Sequence, residues 1–203
     1  MMYRTNKPIN LIQNIATPHN NVLIGCFKKY PLLHLRLWYQ KAHKKDKYYW
    51  SKDLTHEHFH ANVYGSWVNL KFIGYCLRRR DERYVIVGWS NANTLLLHLL
   101  FFLLRRPYNH WTDLPKPVGK SATITARIKR WAAYKVLRYS NAVVFCTGIP
   151  TINYFKQLGF PSSRLVNLPI FVETVEDVAI YRAQREKIWN RYSLEDDDFV
   201  LCA

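Results

Sequence analysis

The chain has 203 residues, which is the length of one domain or slightly more. Hydrophobic residues make up 49% and aromatic residues 15%, so a substantial core can form and a globally disordered protein is excluded. With 30 Lys and Arg against 14 Asp and Glu, the chain is strongly basic, which favours nucleic acid, an anionic membrane surface or a phosphate-bearing substrate as its partner.

Short apolar runs alternate with amphipathic segments along the chain. The predicted strands span 21–27, 47–54, 59–65, 84–90, 142–146, 163–169 and 198–203. The predicted helices span 31–43, 67–80, 94–104, 122–140, 150–159 and 175–193. Strands that alternate with helices indicate βαβ crossovers, so the sequence predicts an α/β fold with a doubly wound parallel sheet.

Two of the predicted strands end in small polar turns. Ser90 and Asn91 follow the run YVIV, and Thr147 and Gly148 follow the run AVVFC. In an open α/β sheet, ligands bind beyond the carboxyl ends of the strands, where helix N-termini offer unpaired N–H groups. We therefore expect these four residues at one edge of the sheet, as a ligand site or as ordinary βα loops.

Several sequence motifs of nucleotide binding and hydrolysis are absent. The chain has no GxGxxG, no GxxxxGK[ST] and no GxSxG motif. The four cysteines, at positions 26, 76, 146 and 202, form no CxxC pair, and free buried thiols are expected. The motif HEHFH at 56–60 allows either a zinc site or loop histidines that touch substrate.

The most apolar run, TLLLHLLFFLLRR at 94–106, has only about ten apolar positions, whereas a membrane span needs ~20. A buried or interfacial helix is therefore the interpretation of this run. No signal-peptide core is present at the N-terminus.

Residues 140–174, SNAVVFCTGIPTINYFKQLGFPSSRLVNLPIFVET, resemble the end of the N-terminal domain of GT-B glycosyltransferases of family 4. The positions that match the family pattern are Thr147, Gly159, Pro161, Arg164, Pro169, Val172 and Glu173. Ile170 and Phe171 depart from the usual Asn-Gly pair. The segment DDFVLCA at 197–203 is similar to the start of the family's second domain. The glycine pair that usually follows the first strand is missing, and no pair of glutamates has the family's donor-site spacing.

This resemblance implies a Rossmann-like N-terminal acceptor-binding domain at 1–193 and the start of a C-terminal donor domain at 194–203. The chain is then the acceptor-binding half of a hexosyltransferase of the retaining type. It would be truncated, either as a protein or in its reading frame, and inactive alone. The acceptor would be a saccharide or lipid-linked saccharide used in bacterial cell-surface polysaccharide synthesis. The nucleotide-sugar donor would bind the missing domain, and this chain would hold no cofactor and no metal.

The resemblance also implies roles for particular residues. RPYNHWTDLP resembles the family's strand that ends in His and Asp near the acceptor pocket. His110 is therefore the predicted catalytic residue. Its main predicted role is to orient the acceptor and act electrostatically, ahead of a role as a full general base. Asp113 is predicted to bind the acceptor. The acceptor set also includes Ser90, Asn91, Thr147 and Gly148, which the turn positions had already indicated. Pro169 and Glu173 are predicted to line the interdomain cleft.

Two other functions remain open at this point. A nucleic-acid-binding module would explain the charge, although no RNP, KH or helix-turn-helix signature accompanies it. A non-catalytic scaffold of the same fold is the third alternative. The expected location is cytoplasmic, with peripheral binding at the inner face of the cell membrane. The predicted membrane contacts are Lys28, Lys29, Lys44, Lys45, Arg78, Arg79, Arg80, Arg105, Arg106, Trp38, Tyr48, Tyr49 and Trp50.

Overall fold

The computed structural model describes residues 7–15, 24, 34–41, 61–89, 91–115 and 123–169. Within these ranges, seven strands form one sheet in which every neighbouring pair is parallel. The strands are β1 (Ile9–Gln13), β2 (Leu35–Tyr39), β3 (Ala61–Val63), β4 (Arg83–Val87), β5 (Tyr108–Thr112), β6 (Ala142–Cys146) and β7 (Leu165–Asn167). Their order is β3-β2-β1-β4-β5-β6-β7, so the chain changes its direction across the sheet between β1 and β4.

Four α-helices follow β3, β4, β5 and β6 in turn. They are α1 (Leu70–Arg78), α2 (Ala92–Leu103), α3 (Ile124–Tyr139) and α4 (Ile149–Gln157), and a 3₁₀ turn at Ser162–Arg164 precedes β7. All four helices contribute buried side chains to a single core cluster, so they cover the same face of the sheet. Right-handed crossovers require this arrangement because the chain advances in one direction from β3 to β7.

Alternate strand residues point to opposite faces of the sheet. Ile12 and Ile86 belong to the cluster under the four helices, whereas Leu11 belongs to a second cluster against which Val85 packs. Ile24, from the β1–β2 connection, lies in this second cluster, on the face where a chain moving from β1 to β3 must place its crossovers. The predicted α/β, Rossmann-like doubly wound fold is therefore confirmed.

The helix predicted at 31–43 is wrong, because residues Leu35–Tyr39 form strand β2. The apolar spacing in this segment fits a helix, but in the structure successive side chains point to opposite faces of the sheet, as in a strand. Leu37 and Tyr39 pack with Leu11 on one face, while Arg36 and Trp38 make polar contacts on the other. Two neighbouring parallel strands, β1 and β3, bind the backbone of β2 and hold it in this extended form.

The first strand also differs from the prediction. It lies at Ile9–Gln13, in a segment for which no strand was predicted. The run at 21–27 was predicted to be the first strand, but Ile24 is helical, and the remainder of that run lies outside the described residues. Of the other predicted elements, 47–54, 175–193 and 198–203 also lie outside the described residues.

The predictions from residue 59 to residue 169 are otherwise confirmed at the level of elements. The predicted strands at 59–65, 84–90, 142–146 and 163–169 correspond to β3, β4, β6 and β7. The predicted helices at 67–80, 94–104, 122–140 and 150–159 correspond to α1, α2, α3 and α4. Strand β6 has the predicted bounds, and its alternation of buried and half-buried residues follows from cover on both faces.

A buried carboxylate holds together the amino ends of β1, β2 and β4. Glu82 accepts hydrogen bonds from Asn10 Nδ2 at 2.9 Å and from Arg36 Nη1 at 2.6 Å. Asn10 Oδ1 in turn accepts from Trp38 Nε1 at 3.0 Å. Because Glu82 is 7% exposed, these bonds offset the loss of its hydration.

By its internal contacts the chain divides into two units, Met1–Phe171 and Val172–Ala203. Every described residue belongs to the first unit. The predicted domain boundary, between residues 193 and 194, lies outside the described residues and remains a prediction.

Candidate functional site

The turns after β4, β5 and β6 lie side by side at the carboxyl edge of the sheet. The backbone pairing continues just past the strand ends, where Gly88 N–H donates to the Trp111 carbonyl at 2.9 Å and Thr147 N–H donates to the Thr112 carbonyl at 3.1 Å. The prediction that Asn91, Thr147 and Gly148 share one edge is therefore confirmed. Ser90, the fourth residue of that set, lies outside the described residues.

Asn91 has a structural role at this edge. Its Oδ1 accepts from Thr94 N–H at 2.9 Å and thereby caps the N-terminus of α2. Its Nδ2 donates to Asn14 Oδ1 at 2.7 Å and to Tyr64 Oη at 3.1 Å, while Tyr64 Oη donates to the Gln13 carbonyl. These bonds engage both amide hydrogens of Asn91 and join β1, β3 and β4 where the strand order changes direction.

Thr147 and Gly148 form the turn between β6 and α4. Thr147 Oγ1 accepts from Trp111 Nε1 at 3.3 Å, and Gly148 N–H donates to Asn167 Oδ1 at 3.1 Å. Gly148 has a φ of +82°, which glycine adopts readily and other residues do not. None of the described side chains caps the first turn of α4, so its N–H groups have no side-chain acceptor within the described part of the chain.

Asp113 follows β5 directly and is exposed. Among the described residues it is the single carboxylate at the carboxyl edge, since Asp81 and Glu82 precede β4 at the opposite edge. No ion pair engages Asp113 within the described part of the chain. Its position agrees with the predicted one, and its carboxylate is available to accept hydrogen bonds from a ligand.

The position of His110 differs from the prediction. Strand β5 continues to Thr112, so His110 lies inside the strand instead of beyond its end. Its side chain is 0% exposed and lies against the indole of Trp89, with ring centroids 4.8 Å apart and an interplanar angle of 4°. Contact between His110 and a ligand would therefore require the surrounding rings to move.

A second buried histidine, His98 of α2, lies edge-on to His110 with centroids 4.8 Å apart. His98 Nε2 is 3.2 Å from the Gly88 carbonyl, which can only accept, so Nε2 carries the proton. Nδ1 of the neutral ring then accepts from Tyr108 Oη at 3.0 Å. Burial lowers the pKa of His98 to about 4, in agreement with a neutral ring. Sequence analysis did not single out this histidine.

His110 is also neutral, since burial and the adjacent His98 hold its pKa well below the ordinary value, against a smaller effect of the Ile86 carbonyl. Neither ring nitrogen of His110 has a hydrogen bond of normal geometry with a described residue. His98, His110, Trp89 and the edge-on ring of Tyr134 together form a ring cluster below the β4 turn. Within the ring cluster, the other three rings pack around Trp89 and support it at the carboxyl edge.

Sequence analysis missed Asn14, Trp89, Trp111 and Asn167, which all shape this edge. Asn14 was missed because β1 was not predicted. Trp89 stands inside the turn GWSNANT that was singled out, so its position after a buried strand was the available signal. Pro169 is exposed two residues past β7, and Glu173 lies outside the described residues.

Other predicted sites have separate outcomes. Cys76 and Cys146 are free and buried, as predicted, and burial raises their pKa values to about 12 and about 11. Cys26, Cys202 and the HEHFH motif lie outside the described residues.

In the part of the chain that the structure describes, no three His, Cys, Asp or Glu residues are grouped for a metal ion. Among the described residues, no α-helix combines the length and the apolar character that a membrane span requires.

No family model matches the chain, and a search of curated proteins found no significant match.

Proposed function

We propose that this chain is the acceptor-binding part of a glycosyltransferase that moves a sugar from a nucleotide-sugar donor to a saccharide or lipid-linked saccharide. The observation that carries the proposal is the convergence of Asp113, the Thr147–Gly148 turn and the uncapped start of α4 at one edge of a Rossmann-like sheet. Residues 140–174, which carry the resemblance to family 4, include two of these three features.

In this proposal Asp113 accepts hydrogen bonds from acceptor hydroxyl groups, because it is the exposed carboxylate of the described edge. The half-buried Thr147 hydroxyl, in the turn after the neighbouring strand β6, adds a second polar contact. Trp89 provides an aromatic surface, which the ring cluster below holds in place. Direct action of His110 on the acceptor is a further step of the proposal and requires the ring cluster to open.

The donor nucleotide sugar is assigned to a second domain, as in the family that the chain resembles. The purified chain alone should therefore transfer no sugar, since transfer requires donor and acceptor to be held in reactive geometry. Turnover by residues 1–203 with UDP-glucose or GDP-mannose would contradict the two-domain assignment.

Acceptor binding can be tested on the chain by itself. The purified chain is screened on an array of bacterial oligosaccharides, and one glycan that binds is then titrated by saturation-transfer NMR. Asp113→Asn should lower the affinity by about tenfold, because a hydrogen bond to a charged group is lost. Asp81→Asn, which changes an exposed carboxylate at the opposite edge, is the matched control and should bind normally.

A nucleic-acid-binding module is the second candidate, and the net charge of +16 is the observation that favours it. Binding to duplex DNA with a steep salt dependence, together with no glycan binding, would support it over the transferase. Loss of glycan binding in both Asp113→Asn and Asp81→Asn would indicate a general charge effect and would contradict the proposed site.

A further inference from the structure

Helix α2 exposes a row of large apolar side chains on its solvent side. Leu95, Leu99 and Leu103 recur every four residues, and 40%, 41% and 64% of their surfaces are exposed. The opposite side of α2 is fully packed, with Leu97 and Phe101 at 0% exposure. This helix is therefore apolar on both sides, which its contact with the sheet does not require.

Helix α3 is the neighbour of α2 and has the same property. Ile128, Trp131 and Tyr139 are 58%, 62% and 62% exposed, while Leu137 is buried in the core. The two rows of α2 and α3 lie in one helical layer on the same face of the sheet. Isolated exposed apolar residues are common, but two rows on neighbouring helices together expose an apolar surface of the kind that marks an interaction site.

The charged side chains that α2 and α3 themselves carry all have the same sign. Neither α2 nor α3 contains an Asp or Glu. The cations of α3 are Arg127, Lys129, Arg130, Lys135 and Arg138. Lys135 Nζ lies 5.7 Å from the ring centroids of both Trp131 and Tyr139, and Arg138 Cζ lies 5.6 Å from that of Tyr139. Cationic groups therefore flank the exposed aromatic rings, and we name this surface of α2 and α3 the apolar–basic face.

A cleft of about 580 Å³ joins the C-terminal ends of the two helices. Leu103 of α2 and Tyr139 of α3 both line it, together with Arg105. The two rows therefore meet at one concave surface, which the basic side chain of Arg105 also lines.

We propose that the apolar–basic face binds the surface of an anionic lipid bilayer. Leu, Ile and Trp side chains gain free energy by entering the boundary between headgroups and acyl chains, and long basic side chains keep their charges at the lipid phosphates. A second copy of the chain would place cations against cations, and the phosphates of nucleic acid would leave the apolar rows exposed. The proposal does not rest on the transferase function.

The membrane contacts predicted from the sequence form a different set. Arg106 was wrongly placed among them, because it is 8% exposed and donates to the backbone carbonyls of Cys76 and Arg79. Trp38 packs against Phe72 and Tyr75 inside the domain. Arg78, Arg79, Arg80 and Arg105 are exposed as predicted. The lysines and aromatic residues at 28, 29, 44, 45 and 48–50 lie outside the described residues.

The test is flotation of the full chain with vesicles of phosphatidylcholine alone and of phosphatidylcholine mixed with phosphatidylglycerol. The wild-type chain should float with the anionic vesicles, and added salt should release it because salt screens the attraction. The double variant Ile128→Ser, Trp131→Ser should bind about tenfold more weakly or worse, since it removes two large apolar contacts. Trp67→Ser, in the loop before α1, removes a Trp that is 89% exposed and is the matched control.

A second pair of variants tests the charge. Lys129→Gln on α3 should weaken binding by about fivefold, whereas Lys71→Gln, an exposed lysine on α1, should have a much smaller effect. Circular dichroism and thermal unfolding verify that each variant is folded. Equal flotation of the double variant and the wild type, or equal binding to neutral vesicles, would overturn the proposal. So would a dimer in sedimentation velocity that the double variant abolishes, because the face would then bind a second copy.

Discussion

The indole ring of Trp89 lies parallel to the imidazole ring of His110, at a centroid distance of 4.8 Å. Trp89 follows β4 and is half-buried at the carboxyl edge, whereas His110 is fully buried in β5. A polar ring that makes no hydrogen bond of normal geometry with a described residue thus forms part of the support of an aromatic residue beside the candidate site. The ring cluster therefore connects the stability of the fold with the shape of the edge.

Two replacements of His110 should distinguish how much its packing and its polar nitrogens each contribute to the free energy of unfolding. His110→Ala leaves a cavity under Trp89 and should lower the free energy of unfolding by about 2–4 kcal/mol. His110→Phe keeps an aromatic ring and should change it by less than about 1.5 kcal/mol, because no described residue makes a hydrogen bond of normal geometry with the nitrogens that are lost. Urea denaturation measures both, and an equally large loss in the Phe variant would show that the nitrogens are bonded.

Stability should decrease in mild acid because of the buried histidines. The unfolded chain binds a proton at each His near the ordinary pKa of 6.5, whereas burial lowers the pKa of His98 to about 4. Between these two pKa values the folded state thus binds fewer protons than the unfolded chain, so the stability of the fold decreases as the pH falls. His98 alone should account for about 2 kcal/mol between about pH 7.5 and pH 5, and His110 adds a contribution of the same sign.

The matched variant for this pH effect is His98→Gln. It keeps an uncharged hydrogen-bonding side chain in α2 and should flatten the dependence of the unfolding free energy on pH above pH 5. Chemical denaturation at several pH values, for the variant and the wild type, measures the two slopes. Parallel slopes would mean that His98 titrates with the same pKa in the folded and unfolded chain, so that its burial has no effect on its titration.

The sequence was sufficient to predict the part of the fold where one signal dominates. AVVFC is a short, continuous apolar run between polar turns, and β6 has the predicted bounds because a strand covered on both faces needs such a run. In β2, by contrast, Leu35, Trp38 and Tyr39 also fit a helical period. Pairing with β1 and β3 decides the conformation there, and those partners are distant in the sequence.

The candidate site was predictable in its location but only partly in its contacts. The polar turns after β4 and β6 indicated the edge, since the carboxyl ends of parallel strands meet. The bonds of Asn91 to Asn14 and Tyr64 join residues 77 and 27 positions apart, so no local pattern announces them. His110 was misplaced because the polar sequence YNHWT does not look like a buried strand, although the ring cluster buries its histidine.

The buried carboxylate at the amino edge should be far more sensitive to mutation than its exposed partner. Glu82→Ala leaves Arg36 and Asn10 without their acceptor and should lower the free energy of unfolding by about 3 kcal/mol. Arg79, whose side chain is 55% exposed and lies 3.7 Å from Glu82, is the control, and Arg79→Ala should cost about 1 kcal/mol or less. Similar losses in the two variants would show that Glu82 is solvated and not a buried anchor.

Two glycines should respond to alanine with opposite signs. Gly74 lies inside α1, where an added Cβ would meet nothing within 4 Å, so Gly74→Ala should stabilise the protein by about 0.5–1 kcal/mol through helix propensity. Gly159 follows α4 with a φ of +79°, and an added Cβ would lie 2.8 Å from Nη2 of Arg138. Gly159→Ala should therefore destabilise it by about 1–2 kcal/mol, from the left-handed backbone conformation and the displaced guanidinium.

The control for Gly159 is the double variant Gly159→Ala, Arg138→Ala, measured against Arg138→Ala alone. Removing the guanidinium abolishes the clash but leaves the positive φ, so the alanine at position 159 should still destabilise the protein, by about 1 kcal/mol. Thermal and urea unfolding of all four variants with the wild type give the required differences. A neutral effect of Gly159→Ala in both backgrounds would mean that α4 does not end in a left-handed turn. A destabilising Gly74→Ala would contradict the open space beside α1.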